Sequence, residues 1–187
     1  MEIKKLVNKA LNFSINRVIE IIGICFAITA MLLLISLISF SPDDPNFIFP
    51  ENTKIKNMLG FQGSFTADLF FQSFGLITFL IPVSFFLIGI NIFINKKTIL
   101  AIDGLFYTLL YSLLGSLFFS FFYPNAFKLY INGNGGFIGA YLNNSFFNSI
   151  VNVNPQIFYY ILLLLIFCVF LLSIQFKMKF LNNLVKS

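Results

Sequence analysis

Residues 69–122 read LFFQSFGLITFLIPVSFFLIGINIFI, then NKKT, then ILAIDGLFYTLLYSLLGSLFFSFF. The first run holds no charged side chain and the second holds only Asp103, while the turn between them carries Lys96 and Lys97. A helix needs about 20 mainly apolar residues to cross about 30 Å of hydrocarbon. Both runs are long enough, and a turn this short makes the two helices antiparallel neighbours. The stretch is therefore a membrane hairpin, and the rest of the chain has to be compatible with a bilayer.

Two further runs qualify on either side, so spans are expected at 18–40, 69–94, 99–122 and 157–176. The fold class is all-α integral membrane, with four transmembrane helices as two tandem hairpins. Composition agrees: of 187 residues, 58% are hydrophobic and 10% charged. A soluble globule could not hide that much apolar side chain and stay dispersed. There are 28 phenylalanines and no tryptophan, and the excess reads as lipid-facing filler. Cys25 and Cys168 each sit in an apolar run and behave as small hydrophobes. The first apolar run is too long for a signal h-region and no A-x-A site follows it, so it is expected to be an uncleaved anchor.

Orientation follows from the cations. Lys4, Lys5, Lys9, Arg17, Lys96, Lys97, Lys177, Lys179 and Lys186 fall on one side, which leaves Lys54, Lys56 and Lys128 of the twelve for the other. The positive-inside rule then puts both termini in the cytoplasm, with 1–17 as a tail and 177–187 as the start of a linker. The outer side carries two long loops, the first holding Asp43, Asp44 and Glu51. Tyr123, Tyr159 and Tyr160 fall at span ends, where amphipathic rings settle among headgroups. Pro82 in span two predicts a kink near residues 78–82.

The outer loops contain a repeat. Residues 59–74 read LGFQGSFTADLFFQSF and residues 135–150 read GGFIGAYLNNSFFNSI. At an offset of 76, Gly60/Gly136, Phe61/Phe137, Gly63/Gly139, Phe70/Phe146, Phe71/Phe147 and Ser73/Ser149 are identical. Each G-x-x-G permits a sharp turn and a close backbone approach before a helix opens. The first such helix is expected to run straight into span two. The second is expected to be a short interfacial helix that stops before Asn152-Val153-Asn154-Pro155. A pair of glycine turns matched by chance is the alternative.

Ionisable groups inside spans are the default sites of function in a membrane protein. Glu20, Asp68 and Asp103 are expected in the first turns of their helices, where the macrodipole favours an acid. Gln72, Asn91 and Gln175 are expected to be interhelical hydrogen-bond donors or interface residues. The chain has no histidine, no phosphate-cradling G-x-x-x-x-G-K-[ST], no G-x-S-x-G and no H-E-x-x-H. Neither catalytic residues nor a bound cofactor or metal is expected.

The order Ser39-Phe40-Ser41-Pro42-Asp43-Asp44-Pro45, then Asn57, Gly60, Gly63, Ala67-Asp68, Phe74-Gly75, Leu80, Pro82 and Gly89, then Gly135-Gly136-x-Ile138-Gly139, resembles a known family. It is similar to the amino-terminal four-helix membrane domain of the FtsK/SpoIIIE DNA translocases, over about residues 18–176. Phe47, where that family often has tryptophan, and Ser64, where alanine is usual, depart from the pattern. The resemblance implies a bacterial inner-membrane anchor that targets the division septum and places an ATP-driven DNA pump there. It implies a homo-oligomer that meets the lipid bilayer and other division proteins. DNA, ATP and Mg would belong to a motor that is not in these 187 residues, and this chain would hydrolyse nothing. Asp43, Asp44, Pro45, Gly60, Gly63, Asp68, Gly75, Pro82, Gly135, Gly136 and Gly139 are the structural or interaction residues. A small transporter or channel subunit is the alternative function.

Overall fold

The computed structural model describes residues 2–45, 54–124 and 132–175. Expectations placed on Phe47, Glu51, Lys128, Lys177, Lys179 and Lys186 lie outside them. The described residues are helical, without a strand: α1 (Glu2–Ile38), α2 (Gly60–Phe74), a 3₁₀ segment (Gly75–Phe79), α3 (Leu80–Asn95), α4 (Ile99–Phe122), α5 (Gly136–Asn143), α6 (Phe147–Val153) and α7 (Pro155–Ser173). Four helical stretches, containing α1, α2 with α3, α4 and α7, are long and apolar enough to cross a membrane.

Local chemistry sets the ends. Nothing in α1 breaks a helix until Ser41-Pro42, so it runs 37 residues, about 55 Å at 1.5 Å per residue. It therefore begins well before residue 18 and exceeds a bilayer core. Lys96 closes α3 in the left-handed region (φ 55°), its N–H donating to the Ile92 carbonyl at 2.8 Å. The Asn154 side chain accepts from the Ile157 N–H at 3.3 Å and Pro155 opens α7, where a missing N–H costs least.

The long helices pack in the order α1, α3, α4, α7. Gly23 of α1 and Gly89 of α3 face each other so closely that a Cβ on either would lie 2.6–2.7 Å from the other's carbonyl oxygen. In lipid, where apolar burial gives no drive, such close backbone packing supplies the association. α4 meets α7 through Phe118 against Tyr159 (5.2 Å between centroids) and Tyr111 against Phe170 (5.6 Å). Between α3, α4 and α7 lies a closed polar knot. Ser84 Oγ is 3.0 Å from Tyr111 Oη and 2.9 Å from Ser173 Oγ, and all three residues are fully buried. Hydroxyls that satisfy one another remove the cost each would carry in an apolar interior.

The bundle has a turn end, at Lys96, and a loop end, where the two long loops lie. At the loop end the expected straight run from α2 into span two does not occur. Along α3, Lys96 pairs with Glu20 and Gly89 packs on Gly23, which brings Ile81 to the level of Leu33. A helix continued straight from Ile81 would carry Gly63 about 27 Å farther along the axis. Instead the Gly63 carbonyl accepts from Ser36 Oγ at 2.5 Å, one turn from Leu33. The chain must bend sharply, and it does so at Gly75–Phe79, where φ of Gly75 is +71°. The break thus begins three residues before the kink expected at residues 78–82 and overlaps it at Thr78 and Phe79. Pro82 sits buried in the first turn of α3, a position proline tolerates.

The second loop also differs from expectation. Two short helices replace one, because Ser145 breaks the run: its hydroxyl donates to the Leu142 carbonyl at 2.6 Å and receives the Phe147 N–H at 3.4 Å.

Candidate functional site

The loop end gathers most of the residues singled out in the sequence, at two junctions joined by α2. At the first, the buried Asp44 carboxylate accepts the backbone N–H of Lys56 and of Asn57, both at 2.8 Å. The Asn57 amide donates to the Ser36 carbonyl at 2.9 Å, and its oxygen receives the Leu59 N–H at 3.0 Å. Ser64 Oγ donates to the Pro45 carbonyl at 3.3 Å. The acidic turn after α1 therefore satisfies the backbone leading into α2 and fixes where that helix starts. At the rim, Lys56 Nζ donates to the exposed Asp43 carboxylate at 2.8 Å. The Lys56 ammonium holds the Asp43 carboxyl below its usual range, first by that hydrogen bond and then by its charge.

The second junction is made at the bend. A Cβ on Gly75 would overlap the Asn134 carbonyl, and one on Gly136 would come within 2.6 Å of the Ser73 carbonyl and 2.7 Å of the Gly75 nitrogen. Gly135 and Gly139 both lie against the Ser116 carbonyl on α4. A bend strips helix partners from nearby backbone groups, and three of these groups find new ones. The Leu76 N–H donates to the Asn134 carbonyl at 2.9 Å, Ser116 Oγ to the Phe74 carbonyl at 2.9 Å and Thr78 Oγ1 to the Phe70 carbonyl at 3.0 Å. Asn134, fully buried, donates its amide to the Tyr123 carbonyl at 2.5 Å. The second loop, α4 and the bend itself thus supply partners to backbone groups at the bend, while the buried side-chain oxygen of Asn134 has none among the described residues.

The repeat is carried in the backbone as well as the sequence. Gly60 and Gly136 adopt φ of +66° and +65°. Their N–H groups donate three residues back, to the Asn57 and Gly133 carbonyls at 2.9 and 3.1 Å. Gly63 and Gly139, one turn on, are the points where α2 meets Ser36 of α1 and α5 meets Ser116 of α4. The opposite faces carry stacked aromatic pairs, Phe61 with Phe65 and Phe137 with Tyr141, at 6.4 and 6.5 Å.

The structure therefore brings together Asp43, Asp44, Pro45, Gly60 and Gly63 at one junction and Gly75, Gly135, Gly136 and Gly139 at the other. Pro82 stands apart, inside the bundle. Asp68 sits in the second half of α2, with Gln72 Nε2 at 3.4 Å from its carboxylate, so it is not a first-turn acid. Glu20 is likewise deep within α1, where it is held by Lys96 at 2.8 Å and Arg17 at 2.5 Å. Ion pairing, not the macrodipole, accounts for its place. Asn91 and Gln175 do bond across helices, to the Ile174 and Leu100 carbonyls. Gln72 receives the Asn132 amide at 2.9 Å.

Ser36, Ser116, Asn134 and the Ser84–Tyr111–Ser173 knot escaped the sequence reading. A serine inside an apolar run has many harmless explanations, and the small-residue pair Gly115-Ser116 is the kind of local signal that could have pointed to a crossing. Among the described residues no three His, Cys, Asp or Glu side chains group closely enough to hold a metal ion.

These features define a class: a multi-pass helical membrane domain whose two glycine-bearing loops interlock as a cap on one end. Residues 16–185 match the family model for the 4TM region of DNA translocase FtsK/SpoIIIE, and the chain belongs to that family. It is 30% identical to the DNA translocase FtsK of Rickettsia prowazekii (strain Madrid E) over 82 residues, which is 42% of this chain and 11% of that protein. Over 90 residues it is 32% identical to the DNA translocase FtsK of Rickettsia bellii (strain RML369-C), covering 48% of this chain and 11% of the relative. The chain thus spans about a tenth of the length of the curated relatives it matches. No solved structure matches it.

Proposed function

We propose that this chain is the membrane-anchoring and septum-targeting domain of an FtsK-like DNA translocase acting in cell division and chromosome segregation. The observation that carries this reading is the family match over residues 16–185, which takes in every described helix except the start of α1. Translocation, with ATP and Mg, would reside in a motor outside these residues, and this chain would act as scaffold without catalysis of its own.

The fold is read as two tandem hairpins, α1 with α3 and α4 with α7, each carrying one copy of the glycine repeat. Support comes from the packing of those pairs and from the matched φ values of Gly60 and Gly136. The turn end would face the cytoplasm in the bacterial inner membrane, with both termini on that side. The Glu20–Lys96 pair supports this by setting the middle of α1 level with the lysine-bearing turn, so that the amino-terminal half of α1, with its cations, lies toward the turn end. The loop-end cap, interfacial and almost free of charge along α2, α5 and α6, would be the surface that meets other division proteins, in a homo-oligomer.

The test is localisation of a fluorescent fusion of residues 1–187 in dividing bacteria. A septal band that becomes diffuse in Gly75→Val, with membrane insertion retained, is the expected outcome. Uniform membrane fluorescence of the parent fusion would sink the proposal.

A further inference from the structure

Glu20 of α1 is level with Lys96 in the tight turn, so Leu6 lies about 21 Å farther along the helix axis, past the end of the bundle. Every side chain from Lys4 to Ile15 is exposed, and Leu6, Val7, Leu11 and Phe13 are each more than half exposed. These residues are not scattered around the helix. At about 100° per residue, Phe13, Leu6, Ala10, Val7 and Leu11 follow one another over an arc of about 160°. Lys4, Asn8, Asn12, Lys5 and Lys9 fill the opposite side, with Lys4 bordering the apolar arc beside Leu11 and Lys9 bordering it beside Phe13. The pattern fails at the next two positions, where Ser14 falls on the apolar side and Ile15 on the polar side.

We infer that residues 4–13 dock on an anionic bilayer surface beside the bundle, pivoting at Ser14-Ile15-Asn16. The apolar arc enters the boundary between headgroups and acyl chains, and the flanking lysines reach up to the phosphates. No residue at the pivot forbids a helix, but all three are weak helix formers, and the Ser14 and Asn16 side chains can bond backbone groups that an opened turn would free. From Arg17 onward α1 is held by the Arg17–Glu20 and Lys96–Glu20 pairs. Pivoting gives up about one turn of backbone bonds and the Arg17 guanidinium's place 4.9 Å over the Phe13 ring. In return the whole apolar arc leaves water. Charge selects the occupant: residues 2–16 carry three lysines against Glu2 alone, which anionic headgroups answer. A second copy in the same bilayer would lie parallel, and two apolar arcs in contact would set Lys4 and Lys9 of both copies along one seam with no acid to meet them. Residues 176–187, with three lysines and no acid, would add like charge as well. The inference rests on the four helices spanning a bilayer, which flotation with liposomes and resistance to alkaline extraction test separately.

The chain has no tryptophan, so a single introduced one reports its own surroundings. Residues 1–187 carrying Leu6→Trp, on the apolar arc, or Asn8→Trp, on the polar side, are placed in nanodiscs of acyl-brominated phosphatidylcholine with or without acyl-brominated phosphatidylglycerol. With phosphatidylglycerol present, bromine should quench Leu6→Trp several times as strongly as Asn8→Trp, and quenching of Leu6→Trp should fall in phosphatidylcholine alone and in about 0.5 M salt. Changing Lys4, Lys5 and Lys9 together to Gln in the Leu6→Trp chain should lower the ratio of docked to projecting helix roughly a hundredfold, about fivefold for each lysine at an anionic surface. A Leu6→Trp that bromine does not reach and acrylamide quenches would overturn the inference, because the segment would then project into water. Shielding from both quenchers would overturn it in favour of a second copy or residues 176–187 as the occupant. Quenching by bromine that is equal at the two positions, or indifferent to phosphatidylglycerol and to the lysines, would overturn the docked face and the role of charge.

Discussion

The two copies of the glycine repeat start alike and end differently. Both open with a glycine near φ +65°, receive an i to i+3 turn, and press a second glycine onto a serine of the preceding long helix. Yet the first copy continues through Phe74 as a strut from α1 to α4, while the second stops at Asn143. The flanks explain the difference. Asp44 and Asn57 tie down the start of the first copy, whereas Asn134 and Gly135 of the second are used to receive the far end of the first. Repetition sets the turn and its packing face, and local polar residues decide what each copy holds.

The equality of the two opening glycines can be broken by one methyl group. At Gly136 an added Cβ meets the Ser73 carbonyl and Gly75 nitrogen and is strained by φ as well; at Gly60 nothing lies within 4 Å. Gly136→Ala should therefore cost about 3 kcal/mol or more, against about 1 kcal/mol for Gly60→Ala, where only the left-handed backbone is penalised. Thermal unfolding in detergent, followed by far-ultraviolet dichroism, would check this. Equal shifts for the two variants would mean that the junction at Gly75 and Gly136 is not closed as described.

Next in size is the polar anchoring of the first copy. Asp44→Ala strips two backbone N–H groups of a buried carboxylate and should cost about 2 kcal/mol. The strut should then swing free of α1 while remaining attached at Gly75. Cleavage between residues 54 and 64 by added protease should rise in this variant, and cleavage between residues 132 and 140 should not. Equal sensitisation of both loops would show that the copies are not anchored independently.

Most of the helix placement was legible because it depends on long apolar runs, and 99–122 and the turn at Lys96 needed nothing else. The bend was not legible. Phe70, Phe71 and Leu69 read as the start of a span because hydropathy cannot separate a helix crossing a bilayer from one lying across its end. The deciding groups, the Asn134 carbonyl and Ser116, come from residues about 40 to 60 positions away. The glycines were legible as a pattern, but their pairing of Gly75 with Gly136 follows only from the folded loops. Glu20 was misplaced because α1 begins at Glu2 and not near residue 18, which moves the acid from a first turn to mid-helix.

The smallest effect belongs to the rim of the first junction, and the second has no counterpart to it. Lys56 depresses the Asp43 carboxyl, so whatever the pair contributes is present above the unfolded carboxyl value, near the ordinary 3.8, and is lost as pH falls through the lower folded value. Both groups are exposed, so salt should screen the pair. Between pH 6 and about pH 3 the melting midpoint should fall slightly more for the parent than for Asp43→Asn, and the gap should close in about 0.5 M salt. Protection of residues 132–140 should be the same in both proteins across that range, since the Asp43–Lys56 pair lies at the first junction and makes no hydrogen bond to the residues that close the second. A pH-dependent opening there would place a proton-sensitive contact on the second copy, and the division into a charged anchor and an uncharged clasp would fail.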